Sequence, residues 1–468
     1  MEFDLKNDFL GYHSEWNLGS PGGWDYQRIT QVIGKAVWDR IVSMNDPGIR
    51  LDFDHSLLYP VYGFVEMLIE SHRSREGNAS GLIAVVAEEE TLQDVTENIN
   101  LAWHLSRRDG ITGALMAPQE LEITGSKVTY RGRPVSVIFM DFNSDVLLRL
   151  HRKHDLSPVL QAVREGRVIN PRGTEPINVK SMFEVLTGPL GRHFHQQTVR
   201  RTPWTRRFKE GPAEGPDGEK IRDLTEWTLD NWENLVLKPE RGYSGMGVRV
   251  GSVNPDGGEA VDLAIEKGGY IVQRKVPLNL WAEENPVLDR DGGNVILDRY
   301  QTDFRCLMGP DGLFGFLVRF GGVPTNVGSG GGVQPLAILK SPVGMPEAVH
   351  RINEAICNMD FGDVEELVGL QERMAIDHRF TYLLGPIRMA LRPRIVTEGQ
   401  LQALGGYCHA MWQDCLTLEK MWLEGILDEF VSIEEDELDI ARMQPWGGGA
   451  AIFASDGLFS FGAHPEGD

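Results

Sequence analysis

The segment NLVLKPERGYSGMGVRVG, residues 234–251, decides how the middle of the chain is expected to fold. It opens as a short apolar run, ends that run with Lys238, and continues as a glycine-rich stretch. This pattern predicts a β-hairpin with a tight loop and with Lys238 at its root. Because glycine has no Cβ, the backbone N–H groups of such a loop can approach a phosphate closely, and the lysine supplies the countercharge. The alternative is a purely structural turn. The segment is not a Walker A loop, because the order GxxxxGK[ST] is absent.

Length and charge limit the classes of function. The chain has 468 residues, too many for one ordinary core, so two or three lobes are expected. Its formal charge of -22, from 68 acidic and 46 basic residues, disfavours nucleic-acid and anionic-membrane partners but leaves room for a small anion in a local basic cleft. The four cysteines form no CxxC pair and no cluster with histidine, so reduced thiols and a cytoplasmic location are expected. No signal-peptide pattern and no long apolar stretch appear, which predicts that no membrane is involved.

The spacing of apolar residues predicts a mixed α/β fold (α+β). Helical spacing covers residues 24–45 and 60–73, and GLIAVVAEE at 81–89 is typical of a buried strand. Residues 120–142 alternate polar and β-branched side chains around glycines, which predicts a hairpin leading into a buried strand. The other predicted segments are helices at 144–165 and 178–187, an exposed loop at 209–220, a strand-rich block at 234–340 and a helical, acidic region at 346–440, in which SIEEDELD is expected to be solvated.

Further motifs follow the hairpin in a fixed order. The hairpin itself reads KP-x-x-G-x-S-G-x-G-V from Lys238, and YIVQ at 270–273, DFR at 303–305 and R-x-G-x-x-x-x-N from Arg319 come after it, the last with a glycine run. This order resembles the ATP-grasp superfamily, and more specifically its circularly permuted branch that includes glutathionylspermidine synthetase-like carboxylate-amine ligases. The resemblance implies an ATP-grasp fold, in which mixed sheets carry a glycine-rich β-hairpin lid and are followed by a helical C-terminal region.

The resemblance extends over about residues 1–340 and implies three regions. Residues 1–150 are expected to form an N-terminal α/β region with a metal motif and a substrate cleft. Residues 151–345 are expected to bind the nucleotide, and residues 346–468 to form a mainly helical C-terminal region.

A metal motif is implied upstream of the hairpin, in YHSEWNLGSPGGWDY at residues 12–26. The resemblance makes Glu15 and Asn17 ligands of Mg²⁺. Alternate residues of a strand point to the same face, so both oxygen donors can reach one cation, and such donors suit Mg²⁺. The family also has an aspartate ahead of the glutamate, and Asp4 fits that place better than Asp8. The alternative is an ordinary strand that ends in a turn.

The resemblance also assigns the residues that contact ATP. Lys180 and Lys238 are expected at the phosphates, and Gln273 with the backbone after it at the adenine. The implied cofactor-binding residues are Lys180, Lys238, Gly242, Ser244, Gly245, Gly247, Gln273, Lys275 and Asn326. The implied catalytic residues are Lys238, Arg305 and Arg319, because a forked guanidinium suits a γ-phosphate or an acylphosphate.

Each of these assignments has a structural alternative. For Lys180 the alternative is a solvent-facing lysine at a helix end, and for Gln273 it is a polar residue at a strand end. For Arg305 or Arg319 the alternative is an ion-paired surface residue. The glycine run around Asn326 is either a phosphate-facing nest or a mobile lid.

The function implied is that of an ATP-dependent ligase that activates a carboxylate as an acylphosphate, lets an amine displace it, and releases ADP and phosphate with the help of Mg²⁺. The partners implied are a small-molecule carboxylate and an amine, of amino acid, peptide or polyamine-like type. A phosphotransferase (kinase) on the same fold and a non-catalytic nucleotide-binding protein are the alternatives. The identity of both substrates and the oligomeric state stay open.

The C-terminal sequence GLFSFGAHPEGD, residues 457–468, echoes the metal motif. When Gly457 is aligned with Leu10, Gly462 and His464 fall opposite Glu15 and Asn17. The echo therefore predicts a degenerate repeat without metal-binding oxygens and with a structural role. Chance similarity is the alternative.

Overall fold

The computed structural model describes residues 11–242, 246–276, 283–322, 331–382 and 385–459. The described helices are α1 Trp24–Met44, α2 Pro60–Glu76, α3 Thr96–Ser106, α4 Ser144–His151, α5 Ser157–Arg164, α6 Met182–Thr187, α7 Gln196–Val199, α8 Leu224–Asp230, α9 Gly257–Lys267, α10 Met345–Cys357, α11 Phe361–Asp377, α12 Glu398–Leu423 and α13 Glu435–Met443.

The described strands are β1 Gly11–Asn17, β2 Leu51–Asp52, β3 Gly81–Val86, β4 Ile111–Met116, β5 Leu121–Thr124, β6 Lys127–Tyr130, β7 Arg133–Met140, β8 Val168–Ile169, β9 Thr205–Arg207, β10 Ala213–Glu214, β11 Lys220–Ile221, β12 Leu235–Pro239, β13 Arg249–Val250, β14 Tyr270–Arg274, β15 Glu283–Asp289, β16 Asn294–Gly309, β17 Gly312–Gly321, β18 Gly332–Val333, β19 Leu336–Leu339, β20 Thr381–Tyr382, β21 Gly385–Pro386, β22 Arg388–Met389, β23 Arg394–Val396 and β24 Phe453–Phe459. The predicted mixed α/β class is confirmed.

The first large sheet has the order β4-β3-β7-β6-β5, and β8 pairs with β7. Its strand β3 is apolar throughout because helices cover both faces: side chains of α2 and α3 pack on one face and those of α4 and α5 on the other. The hairpins that join β5, β6 and β7 turn where predicted, at Gly125 (φ 65°) and Gly132 (φ 73°). Local patterning in the sequence was therefore sufficient for this region.

The central sheet has the order β1-β24-β16-β17-β18-β22, and β15 pairs with β16. Every neighbouring pair is antiparallel except β18 and β22. Strand β1, from the beginning of the described chain, lies against β24, from its end. The first residues of the C-terminal echo, 457–459, belong to β24 and pair antiparallel with β1. The degenerate repeat itself stays a prediction. Gly462 and His464 lie outside the described residues.

The predicted glycine hairpin is confirmed as part of a third sheet, with the order β13-β12-β14-β9. Its two strands pair with Val236 opposite Val250 and Leu237 opposite Arg249. Apolar side chains of this sheet pack against α8 and α9 and form a core of their own. Lys238, near the end of β12, lies opposite Ile271 of β14. The hairpin is consequently backed by helices and faces the central sheet through its lysine side.

Helix α12 covers one face of the central sheet. Thr397 caps its first turn by accepting a hydrogen bond from the Gln400 N–H (3.3 Å). The helix therefore begins directly after β23, which ends at Val396. Trp412 of this helix packs against Trp446 and Phe453, with ring centroids 4.9 and 4.8 Å apart. Since Phe453 belongs to β24, this aromatic group fixes the C-terminal strand in the sheet.

The region 346–440 is helical as predicted, but four short strands interrupt it between Thr381 and Val396. The β-branched sequence of β23 pairs in parallel with β19, so tertiary pairing overrides the helical pattern there. The prediction that the acidic segment SIEEDELD is solvated is wrong at one position, because Glu437 is buried and forms an ion pair with Arg241. The loop predicted at 209–220 is largely exposed and contains the small β10–β11 hairpin.

The central sheet takes strands from all three predicted regions, 1–150, 151–345 and 346–468. Those boundaries stay a prediction. Across the described part of the chain, every helix is too short or too polar to cross a bilayer.

We expect Trp412→Ala to lower the free energy of unfolding by about 3–5 kcal/mol, since it empties a large buried site between α12 and β24. Trp103→Ala is the matched control, because Trp103 is 56% exposed whereas Trp412 is 4% exposed. The control should change the unfolding free energy by about 0.5 kcal/mol or less in urea titrations. Equal effects of the two substitutions would contradict the packing described for α12.

Candidate functional site

Lys238 lies at the root of the glycine hairpin and reaches across to β1. Its Nζ donates to the carbonyl oxygen of Ser14 (3.1 Å) and to Gln273 Oε1 (2.8 Å). Gln273 is itself fixed, because its Nε2 donates to Thr205 Oγ1 at 3.0 Å. Burial lowers the pKa of Lys238 to about 8, and the positive charge of Lys180 acts in the same direction. The ammonium group is thus held between two sheets, next to the backbone of the predicted metal motif.

Lys180 lies just before α6, at a helix start as predicted, and its side chain reaches β1 near Lys238. Its Nζ is 3.3 Å from Glu15 Oε1 and donates to the carbonyl oxygen of Gly242 at 2.9 Å. Its backbone N–H donates to the Glu240 carbonyl (3.0 Å), which ties the start of α6 to the glycine turn. Two lysines therefore lie beside Glu15.

Glu15, Asn17 and Asp456 gather on two neighbouring strands. Glu15 lies opposite Asp456 in the register of β1 and β24, and Asn17 lies opposite Ala454. Asn17 Nδ2 is 3.5 Å from Asp456 Oδ2. Cross-strand partners and alternate residues share one face, so the three oxygen-bearing side chains point to the same side of the sheet.

Asp456 is the centre of a buried ion-pair network. Arg305 binds it with both fork nitrogens, Nε to Oδ1 at 2.7 Å and Nη2 to Oδ2 at 2.8 Å. Arg319 Nη2 adds a contact at 3.2 Å, and Arg319 in turn binds Asp303 through two hydrogen bonds of 2.8 Å. Burial by itself would raise the pKa of Asp456, but the two guanidinium groups outweigh it and lower the pKa to about 2. Asp456 is therefore a permanent anion between two cations.

The loop after the metal motif is anchored to this network. Arg305 Nη1 donates to the carbonyl oxygen of Gly22 (3.0 Å), and Ser20 Oγ donates to Asp141 Oδ1 (2.8 Å). The buried Glu97 carboxylate accepts the first N–H groups of α1, those of Gly23, Asp25 and Tyr26, at 2.8, 2.7 and 3.0 Å. Burial raises the pKa of Glu97 to about 7, although these three donors oppose the shift. Glu97 holds the loop rigid, and no motif in the sequence pointed to it.

These contacts define a cation–carboxylate cluster, whose members are Glu15, Lys180, Lys238, Asp303, Arg305, Arg319 and Asp456. It contains four cations and three carboxylates, whereas the whole chain carries a formal charge of -22. The cluster is thus a locally basic site in an acidic protein, with the glycine hairpin beside it. Such a site favours a small, highly charged anion.

A polar cavity of about 330 Å³ lies beside the cluster, and Glu15, Asn17 and Lys180 form part of its wall. Asp145 and Glu240 line it as well. Burial raises the pKa of Glu240, whose carboxylate accepts a hydrogen bond from a serine hydroxyl. The carboxylates of Asp145 and Glu240 therefore face a ligand bound in the polar cavity, and Lys180 lies in the same wall.

The other predicted site residues lie at varied distances from the cluster. Gln273 binds Lys238 directly, and Gly242 and Gly247 both have positive φ (135° and 77°), as a tight loop requires. Lys275 is partly buried, and its Nζ donates to the Glu233 carbonyl (2.8 Å) rather than to the cluster. The roles of these residues in nucleotide binding stay predictions. Five candidates lie outside the described residues: Asp4, Asp8, Ser244, Gly245 and Asn326.

Sequence reasoning missed Asp456, and a signal for it existed. The stretch IFASDGLF, residues 452–459, is a strand pattern interrupted by one acidic residue, and such a residue needs a partner when the strand is buried. The similarity of the following residues to the metal motif drew attention to Gly462 and His464 instead.

Among the described residues, no three His, Cys, Asp or Glu side chains are grouped so as to hold a metal ion. The oxygen donors on β1 and β24 are the carboxylates of Glu15 and Asp456 and the side-chain amide of Asn17. Compared with known proteins, the chain matches no family model, and no curated protein is significantly similar to it.

We expect Asp456→Asn to lower the unfolding free energy at pH 7 by about 3 kcal/mol, because two buried guanidinium groups lose their shared partner. The pKa of Asp456 is lower in the folded protein, so its stabilisation is complete above pH 4 and disappears as the pH falls towards 2. The wild-type protein should therefore lose about 2 kcal/mol more than the variant between pH 4 and pH 2.

Urea unfolding at several pH values tests this expectation. Asp39→Asn is the control, since Asp39 is exposed and pairs only with Lys35 within its own helix. The same acid sensitivity in the wild type and in Asp456→Asn would show that Asp456 is not the anion of the network.

Proposed function

We propose that this protein is an ATP-dependent carboxylate-amine ligase with an ATP-grasp fold, which forms an amide or peptide bond through an acylphosphate. One observation carries the proposal. Stretches of chain as far apart as β1, β12, β16 and β24 bring Glu15, Lys238, Arg305 and Asp456 into one contiguous cluster. The motif order that resembles ATP-grasp enzymes predicts Glu15, Lys238 and Arg305 from separate places, and a structural role alone does not require them to meet.

The cluster has the groups that a triphosphate needs. Lys180 and Lys238 lie beside the glycine hairpin, where ammonium groups bind phosphate oxygens as point charges. Arg305 and Arg319 add two guanidinium charges from the facing sheet. Their forks bind Asp456 and Asp303, so in this proposal they act on the transferring γ-phosphoryl group through their charge. In this proposal the third sheet covers the nucleotide, and closure over the site keeps water from the acylphosphate.

Magnesium fits the oxygen donors on β1 and β24. Glu15 and Asn17 are partly exposed and line the polar cavity, so their oxygens are accessible, whereas Asp456 is buried beneath them. Carboxylate and amide oxygens are the ligands that Mg²⁺ accepts, usually together with waters and substrate phosphates. When bound, the ion neutralises charge on the triphosphate and acts as a Lewis acid. Both oxygens of Asp456 are bound by Arg305, so Asp456 positions Asn17 rather than replacing a metal ligand. Asp4 as the third ligand stays a prediction.

The proposed reaction has two steps. A carboxylate oxygen of the first substrate attacks the γ-phosphorus of ATP, the bond to the β,γ-bridging oxygen breaks, and ADP leaves. The amine nitrogen then attacks the acyl carbon, phosphate leaves with the bonding electrons, and the amine proton is lost to a base. No protein nucleophile takes part. The four cations of the cluster stabilise the negative charge that moves from substrate to leaving phosphate.

The polar cavity supports an amine as the second substrate. Asp145 and Glu240 line the same cavity as Glu15 and Lys180. In this proposal their carboxylates orient the ammonium group of the amine before it loses its proton. The amine would thus approach the acylphosphate beside the start of the glycine loop, whose residues Glu240, Arg241 and Gly242 line the same cavity.

Lys238→Ala should lower the rate of ADP formation by about 10²–10³-fold, the usual cost of removing a group that stabilises transition-state charge. Lys420→Ala is the control, because Lys420 is exposed at the end of α12 and lies outside the cluster. ADP release is measured in a coupled assay with Mg²⁺ and ATP, and the unfolding temperature of both variants is recorded. Full activity of Lys238→Ala would contradict the assignment of the cluster.

The reaction class is tested with pools of carboxylic acids and amines. We expect ADP release that requires Mg²⁺, an acid and an amine together, with free phosphate formed in equal amount and an amide detected by mass spectrometry. Hydroxylamine should replace the amine and give a hydroxamate, which reports the acylphosphate. Phosphate retained on the product would identify a phosphotransferase, and tight ATP binding without ADP would identify a nucleotide-binding protein.

A further inference from the structure

The peptide group between Gly22 and Gly23 is held at both of its ends. Its carbonyl oxygen accepts a hydrogen bond from Arg305 Nη1 at 3.0 Å, and its N–H donates to Glu97 Oε2 at 2.8 Å. A peptide group is planar and rigid, so a displacement of one end moves the other. Hydrogen bonds at the two ends of one peptide group also polarise each other, which strengthens both. Glu97 therefore acts on Arg305 through a single rigid unit.

The orientation of Arg305 depends on the loop between β1 and α1 as well as on Asp456. Its Nε and Nη2 bind the two carboxylate oxygens of Asp456 at 2.7 and 2.8 Å, and its Nη1 binds the Gly22 carbonyl. Asp456 thus holds one edge of the guanidinium plane, and the loop holds the remaining nitrogen. Because Arg305 belongs to the cation–carboxylate cluster, the loop contributes to the geometry of that cluster.

Glu97 is built into the start of α1. Its Oε1 accepts the N–H groups of Asp25 and Tyr26 at 2.7 and 3.0 Å, in addition to the contact of Oε2 with Gly23. Glu97 is 3% exposed, and it lies on α3, which packs beside α1. A negative charge in front of the first turn of a helix is stabilised by the helix dipole. Both oxygens of Glu97 act as acceptors, so the ionised form fits this arrangement.

The rest of the loop is held by contacts that do not involve Glu97. Ser20 Oγ donates to Asp141 Oδ1 at 2.8 Å, and the N–H of Leu18 donates to Asn178 Oδ1 at 2.7 Å. Loss of the Glu97 carboxylate would therefore release the end of the loop next to α1, while its beginning stays attached. The end that is released is the one that Arg305 binds.

A proton on Glu97 would weaken its hold on the loop. A proton on either oxygen puts an O–H donor among N–H groups that need acceptors. Burial raises the pKa of Glu97 to about 7, and the negative charge of Asp25 acts in the same direction, although the three N–H donors oppose both. The charge of Glu97 therefore changes near neutral pH. In the described part of the chain, the charged and titratable groups on the elements around Glu97 are Asp25, Tyr26 and Arg28 on α1, His104 on α3, Asp141 after β7, Arg305 on β16 and Arg379 after α11.

We propose that Glu97 is a positioning residue of the site: as a carboxylate it holds the peptide group between Gly22 and Gly23 against Arg305, and it thereby makes the rate of ADP formation depend on its own ionisation. The inference rests on the proposed ligase function. Glu97 acts through Arg305 and not on a substrate. The rate is highest when Glu97 is ionised, and it falls as Glu97 takes up a proton.

Glu97→Gln keeps the size of the side chain and removes its charge. We expect this variant to lower kcat for ADP formation about tenfold at pH 8 and to leave KM for ATP within about twofold, because the transition state is affected more than binding. Its kcat should also decrease less than that of the wild type when the pH is lowered from 8 to 6. Glu70→Gln is the control, since Glu70 is exposed on α2 and pairs with Arg73 of the same helix.

A double-mutant cycle tests whether Glu97 acts through Arg305. Arg305→Lys keeps a positive charge but lacks the planar fork that binds Asp456 and the Gly22 carbonyl together. In that background Glu97→Gln should lower kcat by at most about twofold more, since coupled residues do not give additive free energies. Independent, multiplying losses would overturn the proposal, and so would a kcat and a pH profile of Glu97→Gln that equal those of the wild type.

Hydrogen exchange separates this proposal from the ligase function itself. The backbone N–H groups of residues 18–26 should exchange at least about tenfold faster in Glu97→Gln than in the wild type or in Glu70→Gln at the same pH. Unchanged exchange would overturn the positioning role, whatever the activity. Faster exchange in Glu97→Gln, together with a wild-type protein that forms no ADP with any acid and amine, would contradict the ligase function and the effect on its rate while supporting the hold of Glu97 on the loop.

Discussion

The buried carboxylate of Asp456 is the interaction on which the site depends. Moving an ion out of water is costly, and only close partners offset that cost. Arg305 and Arg319 provide them, and each is held in turn, Arg305 by the Gly22 carbonyl and Arg319 by Asp303. One anion therefore fixes the C-terminal strand, two strands of the central hairpin and the loop after the first strand.

The sequence predicted what is local. The hairpin around Lys238, helices α1 and α2, and the hairpins before β7 follow from periodicity and glycine placement within a few residues. Glu15, Lys180 and Arg305 were found through motif order. Asp456 was not, because its importance arises from the pairing of β1 with β24, two strands that are remote in sequence. Glu437 was expected in solvent for a related reason: its partner Arg241 is remote in sequence.

The cluster concentrates positive charge within an acidic protein. Lys180, Lys238, Arg305 and Arg319 meet at one place, whereas the whole chain carries a formal charge of -22. Fixed carboxylates and backbone carbonyls hold these four cations in position, so the local charge is set by the fold rather than by the composition.

The neighbouring positions of β1 and β24 have a consequence for biosynthesis. Asn17 and Asp456 are 439 positions apart, so β1 has no partner strand until β24 has left the ribosome. During that interval β1 and β16 each present an open backbone edge that attracts other extended segments. A nascent chain cut short before Phe453 would keep the glycine hairpin and both lysines, yet Arg305 and Arg319 would lack the carboxylate of Asp456 between them. Synthesis of β24 is therefore the step that allows the basic site to assemble.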